Sequence, residues 1–199
     1  MWMERIGQME IKRADISDIP ETLELHYRYQ VDSIAPEDRA DGFVTTPFTP
    51  EELRSLVEEE QGLFIARDAA GVHGYAMAAS WAFWSPWPLF AHMIQNLGQT
   101  TFLGQTLDTR NSFQYGPACV DKAHRGQGLF PRLFEFMRRE LAGQYPILVT
   151  FINQINSRSL AAHTRKLGLE VSREFDFNGN SYFELVYDMS RPVSGVQGG

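Results

Sequence analysis

An apolar run from Tyr115 to Val120 leads through a short polar turn into an amphipathic helix, and this junction constrains the fold more than any other stretch. The turn contains Gly126 and Gly128, and because glycine lacks a Cβ atom, successive backbone N–H groups can approach one anion there. The positive end of the following helix adds to that attraction. The sequence therefore predicts a strand, a phosphate-binding turn and a helix in direct succession.

The helix after the turn is indicated by its apolar residues, which recur at helical intervals on one face. These residues are Phe130, Leu133, Phe134, Met137 and Leu141. Pro131 is compatible with the start of this helix, because the N–H groups of a first turn have no intrahelical partner. We expect the apolar face to pack against a sheet.

Two familiar phosphate motifs are excluded at this turn. The Walker motif requires Gly-Lys-Ser/Thr, which is absent, and the Rossmann motif requires a third glycine where Pro131 stands. A kinase or nucleotidase is disfavoured, because the turn lacks the lysine and the metal-binding carboxylates of such enzymes. An ordinary strand-to-helix turn without a ligand remains an alternative interpretation of the two glycines.

The turn resembles the acyl-CoA signature of the GNAT (Gcn5-related) N-acetyltransferase superfamily, Gln/Arg-x-x-Gly-x-Gly/Ala, which aligns with residues 125–130. Phe130 departs from the pattern where a small residue is usual, and Lys122 stands where the family often has proline. Residues 151–163, followed by residues 166–169, resemble the family's second signature of a strand, an Asn-initiated helix and a terminal Leu-Gly-Phe. Together, the two stretches span about the C-terminal half of the chain.

The resemblance implies that acetyl-CoA is the cosubstrate and that no metal takes part. The pyrophosphate would lie on the backbone amides of residues 125–130, and the pantetheine arm would lie along the preceding strand. Two residues of the second signature would contact that arm from the other side. The cofactor-binding residues predicted in this way are Ala118, Cys119, Val120, Arg125, Gly126, Gln127, Gly128, Leu129, Phe130, Asn156 and Ser159.

The implied reaction is direct attack on the thioester by a primary amine, from a small molecule or a peptide. An alkylamine has an ordinary pKa of ~10.4, so a proton acceptor or a dry pocket must lower the cost of deprotonation. Tyr115, Asp121 and a water chain are the alternative proton acceptors. Cys119 as a nucleophile is a rival mechanism, but its place in an apolar strand would raise the pKa of its thiol.

In many members of the family, a tyrosine on the second-signature helix protonates the departing CoA thiolate. That helix contains no tyrosine here, and His163 and Thr164 occupy the neighbourhood. Only histidine has an ordinary pKa near neutrality, so His163 is the candidate acid, with a purely structural role as the alternative. A protein that binds acyl-CoA without catalysis, as a sensor or interaction module, is the alternative function.

The composition predicts a single domain. A length of 199 residues with 43% apolar residues suits one domain, predicted over residues 1–189, with residues 190–199 as a disordered tail. The net charge of −7 argues against nucleic-acid binding. The single cysteine, Cys119, excludes an internal disulfide and a cysteine-based metal cluster. Because neither a membrane-length apolar run nor a signal peptide is evident, we predict a cytoplasmic protein with no membrane partner.

The order of predicted elements matches the fold that the resemblance implies, a mixed α/β (α+β) GNAT-like three-layer fold. Its sheet is mixed and mostly antiparallel, with helices on both faces. Residues 31–48 predict a mobile loop that could close over an acceptor. Residues 81–102 are dense in aromatic side chains and predict a helical insertion that covers a sheet face or a homodimer interface, with an acceptor pocket as the alternative. Asn178-Gly179 predicts a tight hairpin turn.

Overall fold

A computed structural model describes residues 9–196 of the chain as a mixed sheet with helices on both faces. The strands are β1 Glu10–Arg13, β2 Leu63–Asp68, β3 Gly71–Ala79, β4 Thr101–Phe102, β5 Gln105–Thr106, β6 Ser112–Val120, β7 Ile147–Asn153, β8 Glu170–Phe177 and β9 Asn180–Asp188. The α-helices are α1 Ile19–Tyr29, α2 Pro50–Ser55, α3 Trp81–Trp84, α4 Pro88–Asn96, α5 Leu129–Leu141 and α6 Ser157–Ala161. Two of them continue as π-helical turns, α2 through Leu56–Glu60 and α6 through Ala162–Leu167.

Seven strands form one sheet in the order β1-β2-β3-β6-β7-β9-β8, and β4 pairs with β5 separately. Every neighbouring pair in the large sheet is antiparallel except β6 and β7. That parallel pairing joins Ser112 to Ile147, Phe113 to Leu148 and Gln114 to Val149, and it stops there. The predicted mixed, mostly antiparallel sheet is therefore confirmed, and β6 and β7 separate toward their carboxyl ends.

Alternating side chains place apolar layers on both faces of the sheet. Phe64 packs with the apolar stripe of α5, whereas its neighbours Leu63 and Ile65 pack with α1 and α2 on the opposite face. The predicted helices on both faces are thus confirmed. Within residues 9–196, every helix is too short or too polar to cross a lipid bilayer.

Local signals in the sequence account for several element boundaries. Thr49 forms a capping box with Glu52 at the start of α2, as S/T-x-x-E sequences predict. The side chain of Asn156 accepts a hydrogen bond from the Ser159 amide and so begins α6. Asn178 and Gly179 have φ values of 53° and 77°, the positive φ angles that the tight turn between β8 and β9 requires.

The aromatic segment forms α3 and α4 and covers one face of the sheet beside β6. The Trp81 Nε1 atom donates to Ser112 Oγ at 3.0 Å, and the Trp84 Nε1 atom donates to the Gln114 carbonyl at 3.3 Å. Both rings are fully buried. This agrees with the predicted insertion over a sheet face, while the homodimer remains a prediction.

Residues 31–48, here named the strap, differ from the mobile loop that the sequence predicted. The strap contains a 3₁₀ helix, Pro36–Asp41, and is fastened at its base. The Val31 amide donates to the Val44 carbonyl at 2.9 Å, and the Val44 amide donates to the Tyr29 carbonyl at 3.0 Å. Phe48 packs in the core at 1% exposure. Poor periodicity misled the prediction, because these contacts join residues that no local pattern relates.

The chain end also differs from the predicted disordered tail over residues 190–196, while residues 197–199 lie outside the described residues. Val193 packs in the core beside α5. Its amide donates to Glu135 Oε2 at 2.9 Å, and the Arg138 Nη1 atom donates to the Met189 carbonyl at 2.7 Å. A buried ion pair on α5 thus binds the segment, which is why a sequence without periodicity is ordered.

Val193→Ala should lower the free energy of unfolding by about 1–3 kcal/mol, because it removes buried methyl groups and leaves a cavity. The side chain of Val193 is 2% exposed, and urea denaturation of the full chain would measure the loss. Val171→Ala is the matched control, since that valine is 46% exposed and should change stability by about 0.5 kcal/mol or less. Equal effects of the two substitutions would contradict docking of the chain end.

Candidate functional site

The predicted phosphate-binding turn lies between β6 and α5. Gly126 and Gly128 have φ values of 82° and 77°, a region that favours glycine, and Gly128 directly precedes the first residue of α5. A Cβ atom at either position would meet no other atom within 4 Å. The space above the turn is therefore open, and the first amides of the thirteen-residue helix α5 lack intrahelical partners.

A groove of ≈ 320 Å³ begins at this turn and runs along β6. Its lining includes every cofactor-binding residue that the sequence predicted except Gln127: Ala118, Cys119, Val120, Arg125, Gly126, Gly128, Leu129, Phe130, Asn156 and Ser159. His163 also lines it. The volume lies at the lower end of the range for small-molecule sites.

Gln127 is the one predicted residue that does not line the groove. Its side chain points back along the chain, where the Nε2 atom donates to the Ala123 carbonyl at 3.1 Å. The exposed side chain steadies the turn and does not contribute to the groove lining. The prediction for Gln127 concerned its backbone amide, one of the amides of residues 125–130, and it stays a prediction.

A smaller inner cavity of ≈ 70 Å³ opens where β6 and β7 separate. It shares Phe43, Val44, Ala118, Asn156, Ser159 and His163 with the groove. Tyr115 from β6 and Phe90 from α4 close its far side. Among the described residues that line it, none is Asp, Glu, Lys or Arg. The groove and the inner cavity thus meet at His163. Among the inner cavity's described lining residues, only Tyr115 and His163 could change their charge by gaining or losing a proton.

The strap forms one wall of the groove, which the sequence did not predict. Asn156 Nδ2 donates to the Phe43 carbonyl at 3.0 Å, and the Asp41 carboxylate forms an ion pair with Lys122. Arg158 lies 3.9 Å from the same carboxylate. The strap therefore lies along the groove and presents a negative charge to two cations at its rim.

Arg125 lies at the rim of the groove and also contacts the strap. Its Nη1 atom donates to the Asp41 carbonyl at 2.7 Å, and its Nε atom donates to the Val120 carbonyl at 2.8 Å. The guanidinium also lies over the Tyr29 ring, 4.8 Å from the centroid. The predicted positive charge is present, but it is held by backbone carbonyls. A basic residue between a strand and a glycine turn could not reveal those partners.

Tyr115 and Asp121, the two side chains predicted as alternative proton acceptors, have pKa values that do not suit removal of a proton from an amine at neutral pH. Burial raises the pKa of Tyr115 far above its usual value, and its hydroxyl has no hydrogen-bond partner among residues 9–196. Burial acts to raise the pKa of Asp121, but the Ala123 amide and the Arg28 guanidinium outweigh it and lower that pKa. Asp121 lines neither the groove nor the inner cavity.

His163 lies at the junction of the two spaces, but its chemistry differs from the predicted acid. Burial lowers the pKa of His163 to about 4, although the Ser159 carbonyl opposes that shift. The Nδ1 atom lies 2.8 Å from the Ser159 carbonyl, so Nδ1 carries the proton and Nε2 is an acceptor. Because Nε2 carries no proton in this neutral tautomer, it cannot deliver one at pH 7. The prediction assumed a pKa near neutrality, and the lowered pKa of His163 contradicts that assumption.

Cys119 is a thiol and not a thiolate. Burial raises its pKa to about 12, while the nearby Arg125 charge lowers it only in part. The thiolate is the nucleophilic form, so the structure gives no support to the rival mechanism through Cys119. The residue instead lines the groove, as the resemblance implied.

No protein-family model matches the sequence, and no curated protein does. Solved structures do match. The protein smu.2055 from Streptococcus mutans has a TM-score of 0.64 at 16% identity, covering 90% of this chain and 99% of that chain. A putative acetyltransferase from Salmonella typhimurium, solved with its cofactor acetyl-CoA, has a TM-score of 0.61 at 17% identity, covering 94% and 98%. The ribosomal-protein-S18-alanine N-acetyltransferase from Escherichia coli has a TM-score of 0.59 at 13% identity, covering 96% and 100%. The chain therefore has the fold of GNAT acetyltransferases, which confirms the fold predicted from the two sequence signatures.

Asp41→Asn should strengthen CoA binding by about two- to fivefold, because it removes a negative charge that faces Lys122 and Arg158 at the groove rim. Titration calorimetry at low salt would measure the gain, and added salt should reduce it. Asp176→Asn makes the same charge change on the distant β8–β9 hairpin and should leave the affinity unchanged. Weaker binding by Asp41→Asn would indicate that the carboxylate holds the groove open.

The low pKa of His163 predicts a loss of stability in acid. The unfolded imidazole has a pKa of ~6.5, so below that pH the unfolded state takes up a proton that the folded state refuses until about pH 4. The contribution of His163 is therefore present at pH 7 and falls by about 2 kcal/mol at pH 5. Urea denaturation at both values should show a shallower fall for His163→Gln than for the unsubstituted chain. Identical pH dependences would contradict a neutral buried imidazole.

Proposed function

We propose that the protein is an acetyl-CoA-dependent N-acetyltransferase that moves an acetyl group to a primary amine. The observation that carries the proposal is the continuity of the site: an open phosphate-binding turn leads along β6 into the cavity between β6 and β7. This arrangement lies in a fold shared with acetyltransferases, one of them solved with acetyl-CoA. The shared fold alone does not assign the activity, so the proposal depends on the groove.

The groove suits the parts of CoA in order. The unpaired amides after Gly126 and Gly128, together with the positive end of α5, suit the pyrophosphate. The β6 backbone beyond Gln114 has no β7 partner, so its unpaired polar groups on that side are available to the amides of the pantetheine arm. The Tyr115 and Val120 carbonyls are exceptions, because the side chains of Gln114 and Arg125 donate to them. The thioester end would then lie beside Ala118, Ser159 and His163, where the groove joins the inner cavity.

The proposed transfer needs one bond to form and one to break. The lone pair of the amine nitrogen attacks the thioester carbonyl carbon, the C–S bond breaks, and CoA leaves as a thiolate. The amine nitrogen loses a proton, which solvent or the thiolate takes up. No enzyme nucleophile is required, in keeping with the protonated thiol of Cys119. Tyr115 stays a neutral phenol and would act, if at all, as a hydrogen-bond donor to the carbonyl oxygen.

The uncharged inner cavity favours an amine that is neutral at physiological pH. No carboxylate among its described lining residues can draw in an ammonium group or deprotonate it. A peptide α-amine, with an ordinary pKa of ~7.7–8.0, is neutral far more often at pH 7.5 than a lysine ε-amine with a pKa of ~10.4. We therefore propose a peptide α-amine or another weakly basic amine as acceptor. The similar fold of the ribosomal-protein-S18-alanine N-acetyltransferase is consistent with an amine of that kind.

A non-catalytic acyl-CoA sensor is the second candidate function. It is favoured by one observation, that neither Tyr115 nor His163 has an ionisation state suited to proton transfer at neutral pH. A sensor would bind CoA through the same turn and release no CoA when amines are added. Catalysis and sensing therefore differ in the chemistry and not in the binding site.

The wild-type chain should transfer acetyl from acetyl-CoA to a short peptide with a free α-amine, and Gly128→Asp should abolish both CoA binding and transfer. The aspartate would place a side chain and a negative charge at the phosphate-binding turn, at a positive φ angle. Calorimetry and mass spectrometry of the acetylated peptide would measure the two losses. An α-blocked peptide with one lysine should react at least about tenfold more slowly at pH 7.5.

Gly168→Asp is the matched control for that substitution. Gly168 has a φ of 81°, has open space where a Cβ would lie, and ends the helical segment after α6 without lining the groove. The Gly168→Asp variant should therefore lose about as much stability through backbone strain as Gly128→Asp, while it keeps the CoA affinity of the unsubstituted chain. Binding without any peptide acetylation would favour the sensor, and unchanged CoA affinity in Gly128→Asp would refute the binding site.

A further inference from the structure

Three side chains that commonly bind metals meet beside the phosphate-binding turn. Asp68 ends β2, His73 lies on β3, and His124 ends the 3₁₀ turn Lys122–His124 that leads into the glycines. One nitrogen of each histidine and one oxygen of Asp68 all lie within 4.8 Å of one another. The three residues are half-buried, so ions could reach them from solvent.

The contacts within the cluster leave one imidazole nitrogen without a hydrogen-bond partner among residues 9–196. His73 Nε2 lies 2.7 Å from Asp68 Oδ1, and the His73 and His124 rings stack with centroids 4.0 Å apart. The Nδ1 atom of His124 is buried and has no hydrogen-bond partner among residues 9–196. A buried polar nitrogen without a partner is costly unless a ligand satisfies it.

The backbone around the cluster positions the three residues before any ion arrives. The Ala70 amide donates to Asp68 Oδ1 at 2.7 Å in the tight turn between β2 and β3. The Asp121 amide donates to the His73 carbonyl at 2.8 Å, which ties the phosphate-binding turn to β3. Zinc bonds of ~2.0–2.2 Å to nitrogen and oxygen place tetrahedral ligand atoms ~3.3 Å apart. The widest separation, within 4.8 Å, would shorten by up to ~1.5 Å. The 2.7 Å separation between His73 Nε2 and Asp68 Oδ1 would lengthen to ~3.3 Å as the ion replaces the proton between them.

We propose that Asp68, His73 and His124 form a binding site for a divalent transition-metal ion such as zinc. Two imidazoles and one carboxylate leave a coordination position open for water, as in other three-ligand zinc sites. The ion would link the β2–β3 turn to the phosphate-binding turn. His124 lines the groove whereas Asp68 and His73 do not, so the ion would also place positive charge next to the groove.

The site lies outside the predicted acetyl-transfer chemistry, for which the sequence implied no metal. Its ligands come from the β2–β3 hairpin and from the turn after β6, and only the antiparallel pairing of β3 with β6 brings them together. No local spacing signals such a site. The proposal is therefore independent of the proposed function, and metal binding can be measured without any activity assay.

Tag-free, EDTA-treated protein should bind one equivalent of Zn²⁺ by titration calorimetry at pH 7.5. His73→Ala should weaken that binding by about tenfold or more, and His124→Ala should do the same. Co²⁺ should give a visible absorption band of a low-coordinate site in the wild-type chain only.

His92→Ala is the control, since that histidine stacks on Phe175 far from the cluster and should leave Zn²⁺ binding intact. Melting temperatures without metal would identify a variant that fails to fold, and His73→Asn offers a milder replacement for that case. Zn²⁺ binding that persists in both His73→Ala and His124→Ala, or binding well below one equivalent, would overturn the site and leave only a hydrogen-bonded pair.

Discussion

The parallel pairing of β6 and β7 lasts for three residue pairs, and the separation that follows creates the space on which the site depends. Had the two strands paired to their ends, the polar backbone of β6 would be satisfied and the inner cavity would not exist. The separation is stabilised from outside. Trp84 donates to the carbonyl of Gln114, which is the last residue of β6 that pairs with β7. Phe90 contacts Phe151 of β7. The aromatic insertion thus compensates for the missing β6–β7 hydrogen bonds with one side-chain hydrogen bond and with ring packing.

The charged side chains at the groove rim suit the anion that we propose binds there. Arg125, Arg158 and Lys122 lie at its rim, and in this structure Asp41 interacts with all three through its carboxylate or its carbonyl oxygen. A solvent-exposed carboxylate contributes little stability through such pairs, so a polyanionic ligand can displace it at small cost. The strap therefore acts as a weak competitor at the same cations. Its attachment at Asn156 and Val44 does not depend on charge and keeps it along the groove.

The sequence predicted the parts of this protein that depend on neighbouring residues. The glycine turn between β6 and α5, the cap at Asn156 and the Asn178-Gly179 hairpin each follow from residue types within a few positions of one another. It failed where the deciding partner is distant. The chain end is ordered because Val193 meets Glu135 of α5, and the strap is fixed because Phe43 meets Asn156. Neither contact leaves a periodic signal, so both segments resembled loops.

Ionisation states were the least predictable property, because burial decides them and burial is a tertiary quantity. His163 was predicted as an acid from its ordinary pKa, yet burial of its side chain disfavours the charged imidazolium and lowers that pKa. The same desolvation keeps Tyr115 and Cys119 protonated. In the proposed reaction, an uncharged site would supply no strong acid or base catalysis, so it would contribute by orienting the amine and excluding water. That physical limit, more than any single residue, is the reason to expect an acceptor that arrives already neutral.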